Sequence, residues 1–499
     1  MKKSVIIVGS GLGGLTCGVI LAKNGYNVTV LEQNAQIGGC LQCFTRKGVK
    51  FETGMHFIGS VGDNQPLNGI WKYLELDKNI LLSPLDTDGY DVFKIKKLKY
   101  SFPIGKKSLL EKLKIDFPHQ SKQLENLWMK IDLVVNNSSI KTIGKNQIPD
   151  SEALILGDLP LDNVLNESIE DETLRNILVG NLPLYAARKD RTPFSLFAFI
   201  MDFYRNGAYR IIGGSDTIAN SLCKTIESYG GRVLTHHKVE KLNSKENFAR
   251  EIICDNGTSF TADEFILAIH PARFLELTDS HIIRKTYRER INNLQQSPGC
   301  FSIYLNFKKN SVPYMNFNFY SYKNNTPWDC EYYTKEEWPK GYLYMHFCNE
   351  TNQKFAESGV VLSYINFNEV EDWIGSKIGQ RGEKYNTFKA NCAEKLLSFL
   401  EKDFPGITNN IAEYYTSTPL TYLDYTGTEY GGMYGISKIA GGGALTRIAH
   451  RTKFSNVHLA GQNVNSHGFQ GVIIGSLTVC SDIFGNSEFL TNTFQENDR

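Results

Sequence analysis

Residues 5–8, Val-Ile-Ile-Val, form a short β-branched run, the pattern of a buried first strand in a parallel sheet. The run passes directly into Gly9-Ser10-Gly11-Leu12-Gly13-Gly14. Leu12 to Lys23 then reads as a helix that Gly25 ends, and Asn27 to Leu31 as a second strand with Glu32 at its tip. Much later, "FSIYLNF" (301–307) and "GYLYMHF" (341–347) alternate, which predicts half-buried strands. Residues 194–204, "FSLFAFIMDFY", predict an apolar helix that suits either a core or the wall of a hydrophobic tunnel. There are no internal repeats and no low-complexity tract.

The glycines at 9, 11 and 14 fit G-x-G-x-x-G in its proper setting, after a strand and opening a helix. Gly9 permits the tight turn, Gly11 lets backbone approach a pyrophosphate, and Gly14 lets the helix pack on the strand. The helix N-terminus then aims its N–H groups at the phosphates. Glu32 stands where a carboxylate accepts hydrogen bonds from ribose hydroxyls. A lone glycine triplet would carry little weight, but strand, turn, helix, strand and acid in register point to dinucleotide binding.

Composition narrows the remaining classes. A chain of 499 residues exceeds what one core can serve, so two or three domains are expected. The formal net charge of +1 offers no global field for nucleic acid. Ten cysteines are scattered, and only Cys40 and Cys43 lie close together, so neither a disulfide framework nor a zinc site is expected, and the setting reads as cytoplasmic. Ser4 to Ala22 carries no charge and follows Lys2 and Lys3, which superficially resembles a membrane span or a signal peptide. Its five glycines have the nucleotide-turn explanation instead.

A second glycine pair, Gly38-Gly39, comes six residues after Glu32. Enzymes that bind FAD pass backbone close to the cofactor at such a place, whereas a simple NAD dehydrogenase needs no second pair. Residues 457–475, "VHLAGQNVNSHGFQGVIIG", add a strand, a turn at Gly461, and glycines 468 and 471 opening a helix. FAD is too long for one βαβ unit, and a glycine-opened helix supplies a second cradle for its flavin end.

With these residues in view, the chain resembles the family of retinol saturases, carotenoid isomerases and phytoene desaturases. The segment "GGCLQCFTRKGVKFETGMHFIG" (38–59), the C-terminal "LAGQNVNSHGFQGVIIGSLTVCSDIFG" (459–485) and the middle block "YRIIGGSDTIANSLCKTIESYGGRVLTHHKVEKL" (209–242) carry the likeness. It implies an α/β fold: a Rossmann-type FAD-binding domain of the glutathione-reductase/amine-oxidase kind and a second, α+β substrate domain. The FAD domain would gather residues 1–90, 205–295 and 421–499, and the substrate domain 91–204 and 296–420. Beside Gly9, Gly11, Gly14, Glu32, Gly38 and Gly39, the resemblance implies cofactor contacts from Val239, Gly461, Gln462, Gly468, Gly471 and Val472. Gln462 departs from the Gly-Asp that many relatives have.

The implied chemistry is FAD-dependent saturation or isomerisation of C=C bonds in a long apolar polyene or isoprenoid such as a retinoid or carotenoid, with NAD(P)H as a candidate external reductant. A desaturase or an amine-oxidase-like oxidase is the alternative. A proton donor is needed, and His56, His467 and Tyr434 are the candidates. The Cys40/Cys43 pair has redox-dithiol spacing. Disulfide reductases of this kind need a second strand–GxGxxG–helix unit for a nicotinamide, and Gly441-Gly442-Gly443 lacks the preceding β-branched run. The two cysteines are therefore expected to be small fillers. Lys94, Lys96, Lys97 and Lys99, with Lys106, Lys107, Lys112 and Lys114, form the one basic cluster: a solvated strand face, or a peripheral contact with the inner face of an anionic membrane that holds a lipophilic substrate.

Overall fold

The computed structural model describes residues 2–138 and 150–486; residues 139–149 and 487–499, which fall in the expected substrate and FAD domains respectively, lie outside the described residues. A five-stranded sheet is assembled from distant parts of the chain, in the order Arg232–Leu234, Asn27–Leu31, Ser4–Val8, Glu264–Leu267, Val457–Leu459. Every pairing is parallel, with Val5 opposite Val28 on one side and Glu264 on the other. The β-branched Val5 to Val8 run takes the centre, where both faces and both edges are covered. This is the doubly wound arrangement that the opening pattern predicts.

Helices Leu12–Lys23, Asp216–Ser228 and Gly468–Phe484 pack on one face. They approach closely because small residues line the contacts: a Cβ on Gly18 would lie 2.7 Å from Ile226, and one on Gly13 would lie 3.0 Å from Gly461 Cα. The other face is covered by a three-stranded antiparallel layer, Val239–Lys245, Phe248–Cys254 and Ser259–Thr261.

A second, seven-stranded sheet runs in the order Ile411–Ser417, Gly299–Phe307, Ser358–Ile365, Gly341–His346, Asn318–Tyr322, Asp91–Ile95, Leu98–Phe102. It is antiparallel except where Asn318–Tyr322 pairs parallel with Asp91–Ile95. Here the strands predicted as half-buried are buried on both sides. Phe301, Ile303, Leu305, Tyr342 and Tyr344 meet helix Gly382–Asp403, while Leu343 and Met345 face the opposite way, toward a helical layer that includes Phe194–Arg205. Alternation in these strands separates two apolar environments rather than core from water, which is why tyrosine appears on both faces.

Four of the eight lysines of the basic cluster are ion-paired. Lys94 pairs with Asp403 and Lys106 with Asp132, Lys112 lies 3.0 Å from Asp116, and Lys114 lies 2.7 Å from Glu125. Among the described residues no helix is long and apolar enough to cross a membrane.

Gly14 offers the sharpest test of this packing. A Cβ there would sit 2.0 Å from the Gly9 carbonyl oxygen and 3.2 Å from Ala268 Cβ. Gly14→Ala should therefore lose roughly 2 kcal/mol or more of stability, read as a lower midpoint in urea or thermal unfolding. Wild-type stability in that variant would contradict the helix-to-turn contact.

Candidate active site

One cavity of about 670 Å³ runs along the carboxyl ends of the parallel strands and on beneath the second sheet. At one end it is walled by Glu32, His237 and Val239; at its middle by Gly9–Gly13, Gly38–Leu41 and Gly461–Val472; at the far end by Phe57, Phe199, Phe203, Leu343, Met345 and Leu362. A polar groove and an apolar lobe are thus one space.

The glycine turn shapes the groove. Gly9 adopts φ +96°, and its N–H donates to the Leu31 carbonyl at 2.8 Å. A Cβ on Gly11 would meet nothing within 4 Å, so the room a methyl would occupy belongs to the cavity. Gly38 and Gly39 form a turn with φ +111° and +55°, and the Gly38 N–H donates to the Ser10 carbonyl at 3.0 Å. This turn therefore rests on the first glycine loop rather than standing alone.

Glu32 is buried. Its Oε2 accepts from the Ser10 N–H at 3.1 Å and the Ser10 hydroxyl at 2.5 Å; its Oε1 accepts from the Asn34 N–H at 2.9 Å and the Asn34 side-chain amide at 3.1 Å. A carboxylate offers about four acceptor positions, and the protein itself fills all of them. Ribose hydroxyls would have to replace the two side-chain donors, the Ser10 hydroxyl and the Asn34 amide, which rotate away at little cost. The simple picture of a free carboxylate waiting for ribose is corrected to that exchange.

The C-terminal cradle opens at Gly461 (φ +99°) and Gly468 (φ +75°), where added Cβ atoms would again meet nothing within 4 Å. Helix Gly468–Phe484 starts there, and its first-turn N–H groups face the cavity wall formed by Gly468, Phe469, Gln470 and Gly471. A groove this open at Gly11, Gly461 and Gly468 fits an extended dinucleotide with a ring system at its C-terminal end. Gly471 behaves otherwise: its Cβ would strike Ser466 at 2.6 Å, so a larger residue there collides with the protein's own turn and not with a ligand.

Of the residues singled out in the sequence, Gly9, Gly11, Glu32, Gly38, Gly39, His56, Val239, Tyr434, Gly461, Gln462, His467, Gly468, Gly471 and Val472 line this cavity, and Gly14 sits behind it under the turn. His56 is buried with Nδ1 3.5 Å from Glu52, whose other oxygen accepts from the Ser215 N–H at 3.1 Å. The carboxylate orients the ring. The His467 ring stacks on Tyr434, with centroids 4.4 Å apart and planes 27° apart. Burial and then the charge of Lys438 hold His467 neutral down to a pKa of about 3. At neutral pH this ring is uncharged, and its buried Nε2 has no hydrogen-bond partner. Burial also raises the pKa of Tyr434, whose hydroxyl donates to the Pro183 carbonyl at 3.0 Å.

Sequence reasoning did not find Lys438, whose Nζ donates to the Asn463 carbonyl at 3.1 Å and whose pKa burial lowers to about 8. It also missed Tyr422, a half-buried phenol on the cavity wall whose hydroxyl donates to the Thr53 carbonyl at 3.3 Å. Neither sits in a motif; tertiary packing brings Tyr422 onto the cavity wall and Lys438 into a small chamber beside it. Among the described residues no group of histidines, cysteines and carboxylates could hold a metal ion.

The cysteines separate. Cys40 lies on the cavity wall in the short turn Gly39–Leu41, whereas Cys43 starts the next strand and lies 3.7 Å from the Ser215 hydroxyl. All ten cysteines are free. Burial raises the Cys40 pKa to about 11 and that of Cys43 further. Neither thiol is poised to attack as thiolate.

Comparison with known proteins agrees with this geometry. Residues 12–483 match the model of the flavin-containing amine oxidoreductases, and the chain belongs to that family. It is 25% identical to the all-trans-retinol 13,14-reductase of Danio rerio over 98% of this chain and 87% of that protein. It is 23% identical to a chloroplastic prolycopene isomerase of an Oncidium hybrid cultivar, over 94% of this chain and 82% of the relative. Among solved structures, cyclohexylamine oxidase from Brevibacterium oxydans superposes with a TM-score of 0.62 at 15% identity, covering 98% of this chain and 100% of the other. The chain is thus a flavin-dependent oxidoreductase, similar in sequence to a retinol reductase and a prolycopene isomerase.

Gly11→Val should fold normally yet lose most bound FAD, because its side chain projects into the groove and not into the protein; a full flavin complement after purification would place the cofactor elsewhere. Alkylation of Cys40 should be slow at pH 7 and accelerate up to about pH 11, because the raised pKa keeps the neutral thiol dominant below that point. A rate already at its plateau near pH 7 would reveal an activated thiolate and revive the dithiol reading.

Proposed function

We propose that this flavin oxidoreductase saturates, or isomerises, C=C bonds of a long apolar polyene or isoprenoid such as a retinoid or carotenoid. The observation that carries the reading is the continuity of the dinucleotide groove with a lobe walled by Phe57, Phe199, Phe203, Leu343, Met345 and Leu362. Such a wall favours a ligand with much apolar surface and few polar groups. Retinol, named in one relative, is a molecule of that kind.

FAD, when bound, supplies hydride chemistry on carbon. In this reading Gly9, Gly11 and Gly14 shape the pyrophosphate turn, Glu32 takes the ribose, and Val239 borders the adenine. Gly38 and Gly39 allow close backbone approach. Gly461, Gln462, Gly468, Gly471 and Val472 form the flavin end, with the helix N-terminus favouring negative charge there. His56, oriented by Glu52 at 3.5 Å, is the preferred proton donor to the substrate carbon. Tyr434 and the neutral His467 hold the substrate against the cofactor. The FAD domain would comprise 1–90, 205–295 and 421–499, and the substrate domain 91–204 and 296–420. NAD(P)H is proposed as the external reductant.

A lipophilic substrate has to come from a membrane or a carrier. Helix Ser151–Asp158 supports peripheral contact: Leu154 and Ile155 are exposed on it, Leu159 follows, and Gly157 packs it on Ser195 of the cavity-lining helix Phe194–Arg205. A cytoplasmic protein resting on the inner face of a membrane fits these features.

An amine oxidase would need a place for a substrate ammonium. The cavity-lining carboxylates are engaged elsewhere: Glu32 with Ser10 and Asn34, Glu276 with Arg273, and Asp424 with Arg381. This favours the polyene reading over the amine-oxidase-like one. Anaerobic incubation of the reduced holoenzyme with retinoids and carotenoids should yield products two hydrogens heavier, or double-bond isomers, by mass spectrometry and chromatography. Release of peroxide with an amine in air, or formation of a new double bond by the oxidised holoenzyme, with no saturation or isomerisation, would point to the alternative.

A further inference from the structure

Behind Tyr434 lie two small chambers. One, of about 40 Å³, shares Leu343, Leu362, Met433 and Tyr434 with the main cavity and is lined deeper in by Glu331. The other, of about 20 Å³, shares Tyr434 and His467 with the main cavity and is lined by Arg188 and Tyr185. Arg188 thus lines one chamber and Glu331 the other, and the two side chains face each other.

The pair is unusual in its spacing. Arg188 Nε lies 3.7 Å from Glu331 Oε1, too far for a hydrogen bond, with the two side chains 17% and 4% exposed. Both facing atoms are buried and have no hydrogen-bond partner. Burial pushes the Glu331 carboxyl up from its ordinary range, opposed by Arg188 and reinforced by Asp329 and Asp190. Leaving a buried donor and a buried acceptor both unsatisfied is costly, so a group between them that can both accept and donate would stabilise the arrangement. A hydroxyl does both. An aldehyde or ketone lacks the donor, a carboxylate would repel Glu331, and a hydrocarbon supplies neither function.

Resting on the polyene reading above, we infer that the Arg188–Glu331 pair is a recognition subsite for the hydroxyl end of a long apolar substrate. The chain of the substrate would lie in the apolar lobe and pass Met433 into the annex, its oxygen accepting from Arg188 Nε–H and its proton donated to Glu331 Oε1. Met433 is the adaptable part of the shared wall, since an unbranched thioether moves aside at low cost. Arg188 and Glu331 set which molecule binds and in which direction; they take no part in hydride or proton transfer at the double bond.

The experiment compares a conjugated polyene alcohol with the matching polyene in which methyl replaces hydroxymethyl, each titrated into FAD-loaded protein and followed by the change in flavin absorbance. Wild-type protein should prefer the alcohol by at least about tenfold in Kd. Glu331→Gln, which still accepts a hydrogen bond, should keep part of that preference. Glu331→Leu should abolish it while hydrocarbon binding and flavin content persist. If that single variant fails to fold because Arg188 is left unpaired, the double variant Arg188→Met/Glu331→Leu removes both charges and should likewise show no preference. Tight but equal binding of the two polyenes to wild type, or a preference that survives the double variant, overturns the subsite alone. Failure of both polyenes to bind overturns the polyene reading and this subsite with it.

Discussion

The absence of a side chain at Gly14 holds this molecule together around its site. Helix Leu12–Lys23 can descend onto the first strand only because no Cβ separates it from the Gly9 carbonyl. With the helix at that depth, Gly13 touches the Gly461 turn, and the Ser476 hydroxyl reaches the Gly13 carbonyl at 3.2 Å. Segments from opposite ends of the chain thereby close around one groove. Raising the helix by the width of a methyl would separate the two cradles and divide a site that must receive one long cofactor.

The same compactness sets the chemistry of the walls. Cys40 is pushed toward the neutral thiol and His467 toward the neutral imidazole, and Lys438 in the adjoining small chamber down to about 8, in each case chiefly by burial. An interior that disfavours charge at Cys40 and His467 suits an uncharged reactant beside them. His56 differs in its surroundings, because the Glu52 carboxylate stands 3.5 Å behind its ring.

Features decided locally are the ones that can be read along the chain. A turn needing φ +96° at Gly9, a helix that cannot bear a Cβ at Gly14, and a β-branched run at the centre of a parallel sheet all leave a mark in neighbouring residues. The C-terminal strand and glycine-opened helix are legible for the same reason. Other features depend on what packs opposite. Alternation in "FSIYLNF" and "GYLYMHF" predicts one wet face, because a pattern of period two does not distinguish water from a second apolar layer. The acceptors of Glu32 are already taken by Ser10 and Asn34, and the engagement of the Ser10 hydroxyl as well as its N–H has no signature in spacing. The Arg188–Glu331 pair joins residues 143 positions apart and belongs to no motif.

The dinucleotide groove and the apolar lobe form one continuous site, and the proposed function has the reactive ring meet a hydrocarbon chain there and not solvent. A crystal structure of the FAD complex tests this most directly. The adenosine should lie beside Glu32 and Val239 and the flavin ring at the Gly468–Val472 end, one face against the lobe bounded by Phe57, Leu343 and Tyr434. A flavin ring lying outside that lobe, or separated from it by an intact protein wall, would contradict it.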